Sequence, residues 1–431
     1  MGDAVAGLKR HVVMDARLSH EIERIYADER ARILATLIGI LRHFDLAEEM
    51  MQEAFAAALV QWRNDGIPRN PRSWIVSAAR HKAVDRLRRD AIFREKFPEL
   101  QRLAEQEENG PVPLSDDEDA IADDRLRLIF TCCHPALSTE AQVALTLRTL
   151  CGLTTDEIAR AFLVSPQTMA QRLVRVQRKI TEAGIPYSVP PADAIPSRIE
   201  SVLVTIYLIF TAGYTAASGE MLVKKHLCTE AIRLGRLLTG LVPGQSEPLA
   251  LLAMMLFHDS RRHTRTDDQG NIVLLEDQDR SRWNRSFIEE AVGLLDTALR
   301  HAAGGSRYTI EASIAALHAT APMPRDTDWR QIAALYTELK RIAPSPVVEL
   351  NEAVAIAMAE GPETGLRLLS ELESSGRLGN YHFLPAAQAR LLEKLGRPAE
   401  ASEHYRRAIA LARNDPERRF LVARLAGVNQ G

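Results

Sequence analysis

Residues 152–180, GLTTDEIARAFLVSPQTMAQRLVRVQRKI, constrain the fold more than any other stretch of the chain. Two helix signals stand there with a very short break between them. Thr155 is placed to cap a helix over 156–163, with Asp156 and Glu157 in the first turn, where the helix dipole favours acids. Ser165 and Pro166 open a second helix: a hydroxyl at the cap, then proline at the first helical position, where a missing N–H costs nothing. Along it Met169, Leu173, Val176 and Ile180 recur at helical spacing and form one apolar stripe. The opposite face carries Gln167, Gln171, Val174 and Arg178, flanked by Thr168 and Arg175. A short helix, a tight turn and a helix with amides and guanidiniums outward make a helix-turn-helix, the shape that lays a helix in the DNA major groove. An ordinary helical hairpin with a solvated face is the alternative this stretch leaves open.

The 431 residues are rich in Ala, Leu and Arg and only 5% aromatic, so the chain is expected to be all-α and to hold several domains. A net charge of −3 hides an uneven distribution: residues 1–97 carry +3, 98–124 carry −9, 125–183 carry +4 and the remainder about −1. Two mildly basic modules joined by an acidic tether suit nucleic-acid binding better than the overall balance suggests. Four cysteines, two of them adjacent (Cys132 and Cys133), are too few and too poorly placed for a disulfide framework, which points to a reducing cytoplasm. No signal peptide is evident, and the longest apolar runs, near 202–213 and 249–257, fall well short of a membrane span.

In the first module, residues 15–97, a helix is expected from His20 to about His43, with Ile22, Ile25, Tyr26, Ile33, Leu37 and Ile40 as its apolar positions. Asp45 then caps DLAEEMMQEAFAAALVQW, whose buried face is expected to hold Met51, Phe55, Ala58, Leu59 and Trp62. Glu48, Glu49, Gln52 and Glu53 cluster outside its first turns. Such an acidic patch is a poor DNA surface and reads as a protein-docking surface, or else as dipole complementarity and solubility. A loop broken by Gly66, Pro68 and Pro71 leads to SWIVSAARHKAVDRLRRD, capped by Ser73. Its apolar side is Trp74, Ile75, Ala78, Ala79, Ala83 and Leu87. From Arg72 to Arg89 six Lys/Arg stand against one Asp, which suits a helix that grips a phosphate backbone beside a pocket for an unstacked base. Residues 98–124, with ten acids and one Arg around a Pro/Gly break, read as a mobile tether.

DLAEEMMQEAF…W, then PRSWIVSAARHKAVDRLRR, then the helix-turn-helix beyond an acidic linker, resemble a bacterial extracytoplasmic-function sigma factor over residues 18–183. The resemblance implies a sigma region 2 helical bundle over 15–97, a flexible linker over 98–124 and sigma region 4 over 125–183. Glu48-Glu49 stands where that family usually carries an acidic-Asp pair; the charge is kept, the shorter Asp is not. By the resemblance, Glu48, Glu49, Gln52 and Glu53 dock on the clamp helices of core RNA polymerase, with its flap as a further contact. Arg69, Asn70, Arg72, Ser73 and Trp74, followed by Arg80, His81, Lys82, Arg86, Arg88 and Arg89, would hold and open the −10 promoter element. The Ser165 helix would read the −35 element through Gln167, Thr168 and Gln171, with Arg175 and Arg178 on guanine or phosphate and Arg172 on backbone phosphate. The acidic linker would thread polymerase channels.

Within the second module, Ser138 is expected to cap a helix that Gly152 ends. The Cys132-Cys133-His134 cluster, with Cys151, invites metal or redox readings. Adjacent residues do not converge easily on a tetrahedral site and no CxxC spacing exists, so buried packing cysteines are expected.

Residues 184–431 open with a proline-rich joint, IPYSVPPADAIP, and read as almost wholly helical, interrupted by a hairpin signal, RTDDQGNIVLLE, at 265–276. Near the end, Ala389, Leu392, Ala401, Tyr405 and Ala408 fall at tetratricopeptide (TPR) packing positions around a turn at Gly396-Arg397-Pro398, and Gly361-Pro362-Glu363 repeats that turn 35 residues earlier. A TPR-like helical solenoid is expected. YLIFTAGY at 207–214 and LLEDQDRSRWN at 274–284 also resemble the extension of one sigma subgroup, which generally lacks a dedicated anti-sigma partner. That implies an extension that modulates activity in cis, with another protein regulator left open; separately, the solenoid is expected to pack against one or both sigma modules and restrain the tether. His258, Asp259, His263, Asp267 and Asp268 would be the residues of a catalytic or metal site there. Without a paired spacing such as HExxH, an Arg/Asp network pinning the hairpin is the preferred reading.

No nucleophile–base set or phosphate loop stands out, so neither catalysis nor a cofactor is expected. A stand-alone helix-turn-helix regulator with a helical-repeat sensor domain is the alternative function, and a hydrolase or transferase site in 258–284 a third.

Overall fold

A computed structural model describes residues 2–41, 43–89, 118–162, 164–191, 194–214, 221–302, 305–412 and 415–428. Side chains are described outside 2–17, 27–28, 87–89, 118–124, 196 and 221–225, so most of the acidic tether lies outside the described residues. The chain divides into two compact units, Met1–Thr205 and Ile206–Gly431. It is all-α: among the described residues the β pairing is one isolated antiparallel bridge, Thr266 to Ile272. No described helix is long and apolar enough to cross a membrane.

The first unit begins with α1 (Gly2–Leu41), α2 (Phe44–Asp65) and α3 (Pro71–Arg89), which pack on one another. Ile33, Leu37 and Ile38 of α1 meet Met50, Met51 and Phe55 of α2 and Ile75, Ala79 and Ala83 of α3 in a core where each is at most 6% exposed. Three expected caps move. His43, not Asp45, caps α2, its Nδ1 accepting from Leu46 N at 3.2 Å, and Asp45 serves the first turn. Asn70, not Ser73, caps α3: its Oδ1 accepts from Ser73 N at 3.0 Å, and Pro71 takes the first helical position that suits its fixed φ. Thr154 replaces Thr155 as the cap of the short helix described below, for a reason of spacing.

The α2 face also differs from expectation at its two edges. Leu59 is 46% exposed, because seven residues, nearly two turns, bring it onto the row of Gln52. Glu48 stands seven residues before Phe55 and turns inward for the same reason, leaving its side chain 14% exposed.

Four further helices follow: α4 (Glu118–Cys132), α5 (Thr139–Thr149), α6 (Thr155–Ala161) and α7 (Pro166–Glu182). Ser138 caps α5 as expected. Gly152, at φ +76°, lets Leu153 N turn back onto Leu147 O at 3.0 Å. The positive φ is what calls for glycine at 152, and a Cβ there would also come within 3.3 Å of Arg30 Nη1. The first half of α8 (Ile195–Tyr214) completes this unit: Arg198 Nη2 donates to Phe130 O at 2.7 Å and Thr205 Oγ1 to Gln142 Oε1 at 3.3 Å.

The second unit takes the rest of α8 and α9 (Met221–Leu241), α10 (Ser246–Ser260), α11 (Arg285–His301), α12 (Arg307–Thr320) and α13 (Trp329–Ile342). Then come α14 (Pro346–Glu360), α15 (Pro362–Ser374), α16 (Phe383–Lys394), α17 (Pro398–Leu411) and α18 (Asp415–Val428). Every residue from Ala250 to Phe257 in α10 is buried, as befits a helix apolar on all sides and walled by α9, α11 and α12. From α11 onward each helix packs on the next, the arrangement of a solenoid. The turns expected at Gly361-Pro362 and Arg397-Pro398 each start a helix with proline at the first position. Gly365 lets α15 approach α14 so closely that a Cβ there would sit 2.2 Å from Ala357 Cβ. Ala389, Tyr405 and Ala408 share a buried cluster with Leu421, while Leu392 and Ala401 are buried beside them.

Candidate nucleic-acid interface

The expected reading helix is α7. Ser165 Oγ accepts from Thr168 N at 3.1 Å, Pro166 stands at the first position, and Met169, Leu173, Val176 and Ile180 are all buried. Burying that stripe forces the opposite row outward, so Gln167, Gln171, Val174, Arg175 and Arg178 are exposed. Val174, 60% exposed, places an apolar side chain in the same row. Thr168 is exposed, but its hydroxyl is bonded to Ser165 Oγ at 2.8 Å, which ties it to the cap. Arg172 is half-buried and faces Glu140 at 3.6 Å; Arg178 pairs with Glu182 at 2.6 Å one turn on.

The supporting helix α6 is held by a reciprocal cap. Glu157 N donates to Thr154 Oγ1 at 3.2 Å, and Thr154 N donates to Glu157 Oε2 at 2.7 Å. The expected Thr155 cap would have put Ile158 at the reciprocating position, where no carboxylate exists to answer.

The basic residues before and along α3 have a different setting. Arg69, His81 and Arg86 are exposed, while Asn70, Arg72, Ser73, Trp74, Arg80 and Lys82 are half-buried. The side chains of Arg88 and Arg89 lie outside the described residues. Trp74 packs edge-on against the buried Trp62, centroids 5.3 Å apart. Arg72 faces Glu29 at 3.8 Å, and burial lowers the pKa of Arg80. Lys82 and Arg86 reach across to α2, Nζ to Glu53 Oε2 and Nη1 to Glu49 Oε1, both at 3.3 Å. Gln52, exposed between these two acids, sits on the same α2 surface.

Glu48 does not share that open surface. Arg148 holds it with two nitrogens, Nη2 at 2.7 Å from Oε1 and Nε at 3.3 Å from Oε2. Arg30, 5% exposed, donates to the same carboxylate at 3.3 Å, to Tyr26 Oη at 2.9 Å and to Thr149 O at 3.2 Å. Tyr187 adds a bond to Ala35 O at 2.7 Å. These contacts join α1 and α2 to the α4–α7 module. A cleft of about 620 Å³ beside them is lined by His43 and Phe44 on one side and Val174, Gln177 and Arg178 on the other. Sequence reasoning missed Arg30 and Arg148, since no local pattern links residues 100 positions apart.

Cys132 and Cys133 are buried, their Sγ atoms 3.2 Å from Thr149 Oγ1 and 3.7 Å from Thr146 Oγ1. Burial pushes both thiols up, Cys133 to about 11, so neither supplies thiolate at neutral pH. In the second unit, Asp259 pairs with Arg262 at 2.6 Å, Asp267 closes the hairpin turn by accepting from Gln269 N and Asn271 N, and His263 and Asp268 are exposed. Among the described residues no three His, Cys, Asp or Glu side chains gather as a metal site.

Residues 25–91 match the family Sigma-70 region 2, residues 127–180 match Sigma-70 region 4, and residues 198–299 match a family of unknown function, DUF6596. An uncharacterized protein of Rhizobium meliloti (strain 1021) is 42% identical over 406 residues, 94% of this chain and 95% of that one. Among solved structures, the P58(IPK) TPR domain is 14% identical and is aligned over 98% of its length and 90% of this chain, at a TM-score of 0.25, which defines no common architecture. A capped helix-turn-helix with an open polar face, joined in one unit to a second basic helix, defines a DNA-binding transcription factor. The chain belongs to the sigma-70 family, whose members bind core RNA polymerase and promoter DNA to initiate transcription.

Proposed function

We propose that the chain is a two-element promoter reader whose modules work only when polymerase sets the distance between them. The observation that carries this is the exposed row of Gln167, Gln171, Val174, Arg175 and Arg178 on α7, in a chain that also matches region 2. In this reading α7 enters the major groove at the −35 element, where Gln167 and Gln171 meet base edges and Arg175 and Arg178 meet guanine or phosphate. Arg172 and Thr168 position the helix. Residues 69–89 hold the −10 element, with Trp74 as a stacking surface for an unpaired base and Arg69, His81, Lys82 and Arg86 along the backbone.

Glu49, Gln52 and Glu53 present the polymerase-facing acids, on the clamp helices, with the flap beneath the −35 module. Glu48 joins them once Arg148 lets go, so the contacts among Arg30, Glu48 and Arg148 hold a closed form that polymerase opens. The C-terminal unit modulates promoter activity in cis, and the protein acts in the cytoplasm as an extracytoplasmic-function member without enzymatic chemistry of its own. The test is run-off transcription with purified core polymerase, beside a gel shift of the same promoter duplex with the protein alone. A stand-alone regulator would bind the duplex tightly without polymerase; the proposed sigma factor binds it weakly alone and initiates only with core enzyme.

A further inference from the structure

The polar residues at the start of the second unit, left unused by promoter recognition, converge on Tyr214. Phe210 stacks on its ring at 5.5 Å with an 18° tilt, and the Arg265 guanidinium lies 3.7 Å from its centroid. Arg265 Nη1 donates to Tyr214 O at 2.7 Å, and Arg261 Nη2 donates to Tyr214 Oη at 2.5 Å. His258, one turn before Arg261 on α10, packs against the same ring at 5.2 Å. Arg280 and His318 lie within electrostatic reach of Arg261. Arg280 is 7% exposed; its Nη1 donates to His318 O at 2.8 Å and Ala321 O at 2.5 Å, and its Nε finds no acceptor among the described residues.

The charges there do not balance. Asp259 is paired with Arg262 at 2.6 Å, and Asp326 faces Arg280. Arg261 has no ion-pair partner among the described residues, and the acid within electrostatic reach of Arg265 is Asp259, already paired with Arg262; burial and then the nearby Arg265 disfavour the charge on Arg261. Burial, and then the neighbouring guanidiniums, hold His258 down at about 3 and His318 at about 4, so both imidazoles are neutral at physiological pH. Yet His258, Arg261, Arg265 and His318 all keep accessible surface. These side chains stand at the margin of the packed helices, desolvated yet still in part exposed. A fold that keeps uncompensated guanidiniums out of bulk water gains most when an anion arrives to meet them.

We propose that this cluster binds a small oxyanion, a carboxylate or a phosphate group, gripped by Arg261 and Arg265 with Tyr214 as their platform. The planar forks of the two guanidiniums suit paired N–H···O bonds to such a group. The neutral imidazoles add hydrogen bonds without adding charge, and Arg280 Nε offers a further donor beneath them. The module of unknown function becomes a ligand-sensing site attached to a sigma factor. The site stands on its own residues, whatever the promoter modules do.

Isothermal titration of the full chain with inorganic phosphate and, separately, with acetate, at ionic strength held constant with chloride, tests it. Saturable one-site binding of either anion is expected, and which of the two binds decides between a phosphate-bearing and a carboxylate-bearing ligand. Arg265→Lys keeps the charge and the ring contact but loses the fork, so it should weaken binding about tenfold with the circular dichroism spectrum unchanged. If that variant does not fold, Arg261→Lys serves for the same comparison. In the wild-type chain the ring resonances of His258 should also move on saturation. No saturable binding of either anion, equal affinity in the lysine variant, or a His258 signal that stays still while heat is released would each overturn the proposal.

Discussion

Helices α2 and α7 both turn a polar face away from an apolar one, but the side chains on the two faces are held differently. On α7 the outward glutamines and Arg175 meet water, and Arg178 has only an exposed neighbour, Glu182, one turn away. On α2 the acids already have partners from other helices: Glu48 has Arg30 and Arg148, Glu49 has Arg86, Glu53 has Lys82. Polar character alone therefore does not say whether a surface is available. The α7 row meets solvent directly, whereas on α2 Glu48 is held inside the chain and Glu49 and Glu53 each share an exposed pair with α3.

The largest consequence falls on Glu48. Glu48→Ala strands Arg30 in a buried position, and a denaturant titration of the protein should show its first unit losing roughly 3 kcal/mol. A loss below about 1 kcal/mol would mean that the α2 acids are as loosely held as those on α7, and the contrast would fail. Next comes Gln171→Ala, expected to leave the denaturation midpoint unchanged. Its effect should be confined to one base position of the −35 element, where promoter competition should register the roughly 1–3 kcal/mol of a lost base contact.

Lys82→Ala should act differently from both. Promoter binding by the polymerase holoenzyme should weaken evenly across sequences, with the slope of log K against log salt reduced by about 1. A sequence-dependent loss there would make α3 a reader rather than a grip. The smallest effect is at the surface pair. A double-mutant cycle on Glu49→Ala and Arg86→Ala should return about 0.2–1 kcal/mol of coupling, as both side chains are nearly half exposed at 45–48%. A larger coupling would place that pair in the same class as Glu48.

The same contrast explains what could be read from sequence. The α7 stripe was legible because four buried residues at helical spacing leave no freedom about which side faces out. The turns at Gly361-Pro362 and Arg397-Pro398 were legible because glycine and proline mark them locally. At α2, α3 and α6 the caps stand two, three and one residues before the expected ones, and at α6 the reciprocal partner Glu157 decided between neighbouring threonines. Glu48 and Leu59 were misplaced because each sits at the edge of the α2 face, where a modest rotation decides burial. Neither the Arg30–Glu48–Arg148 cluster nor the contacts around Tyr214 were legible. Each gathers residues from distant segments, and no local periodicity encodes such an encounter.

The most direct measurement is run-off transcription from a cognate promoter with purified core RNA polymerase, comparing the wild-type chain with the Gln171→Ala variant. The account predicts initiation that depends on the added chain and falls in the variant only when the −35 element is intact. Tight duplex binding by the chain alone, with no initiation when core polymerase is added, would contradict it.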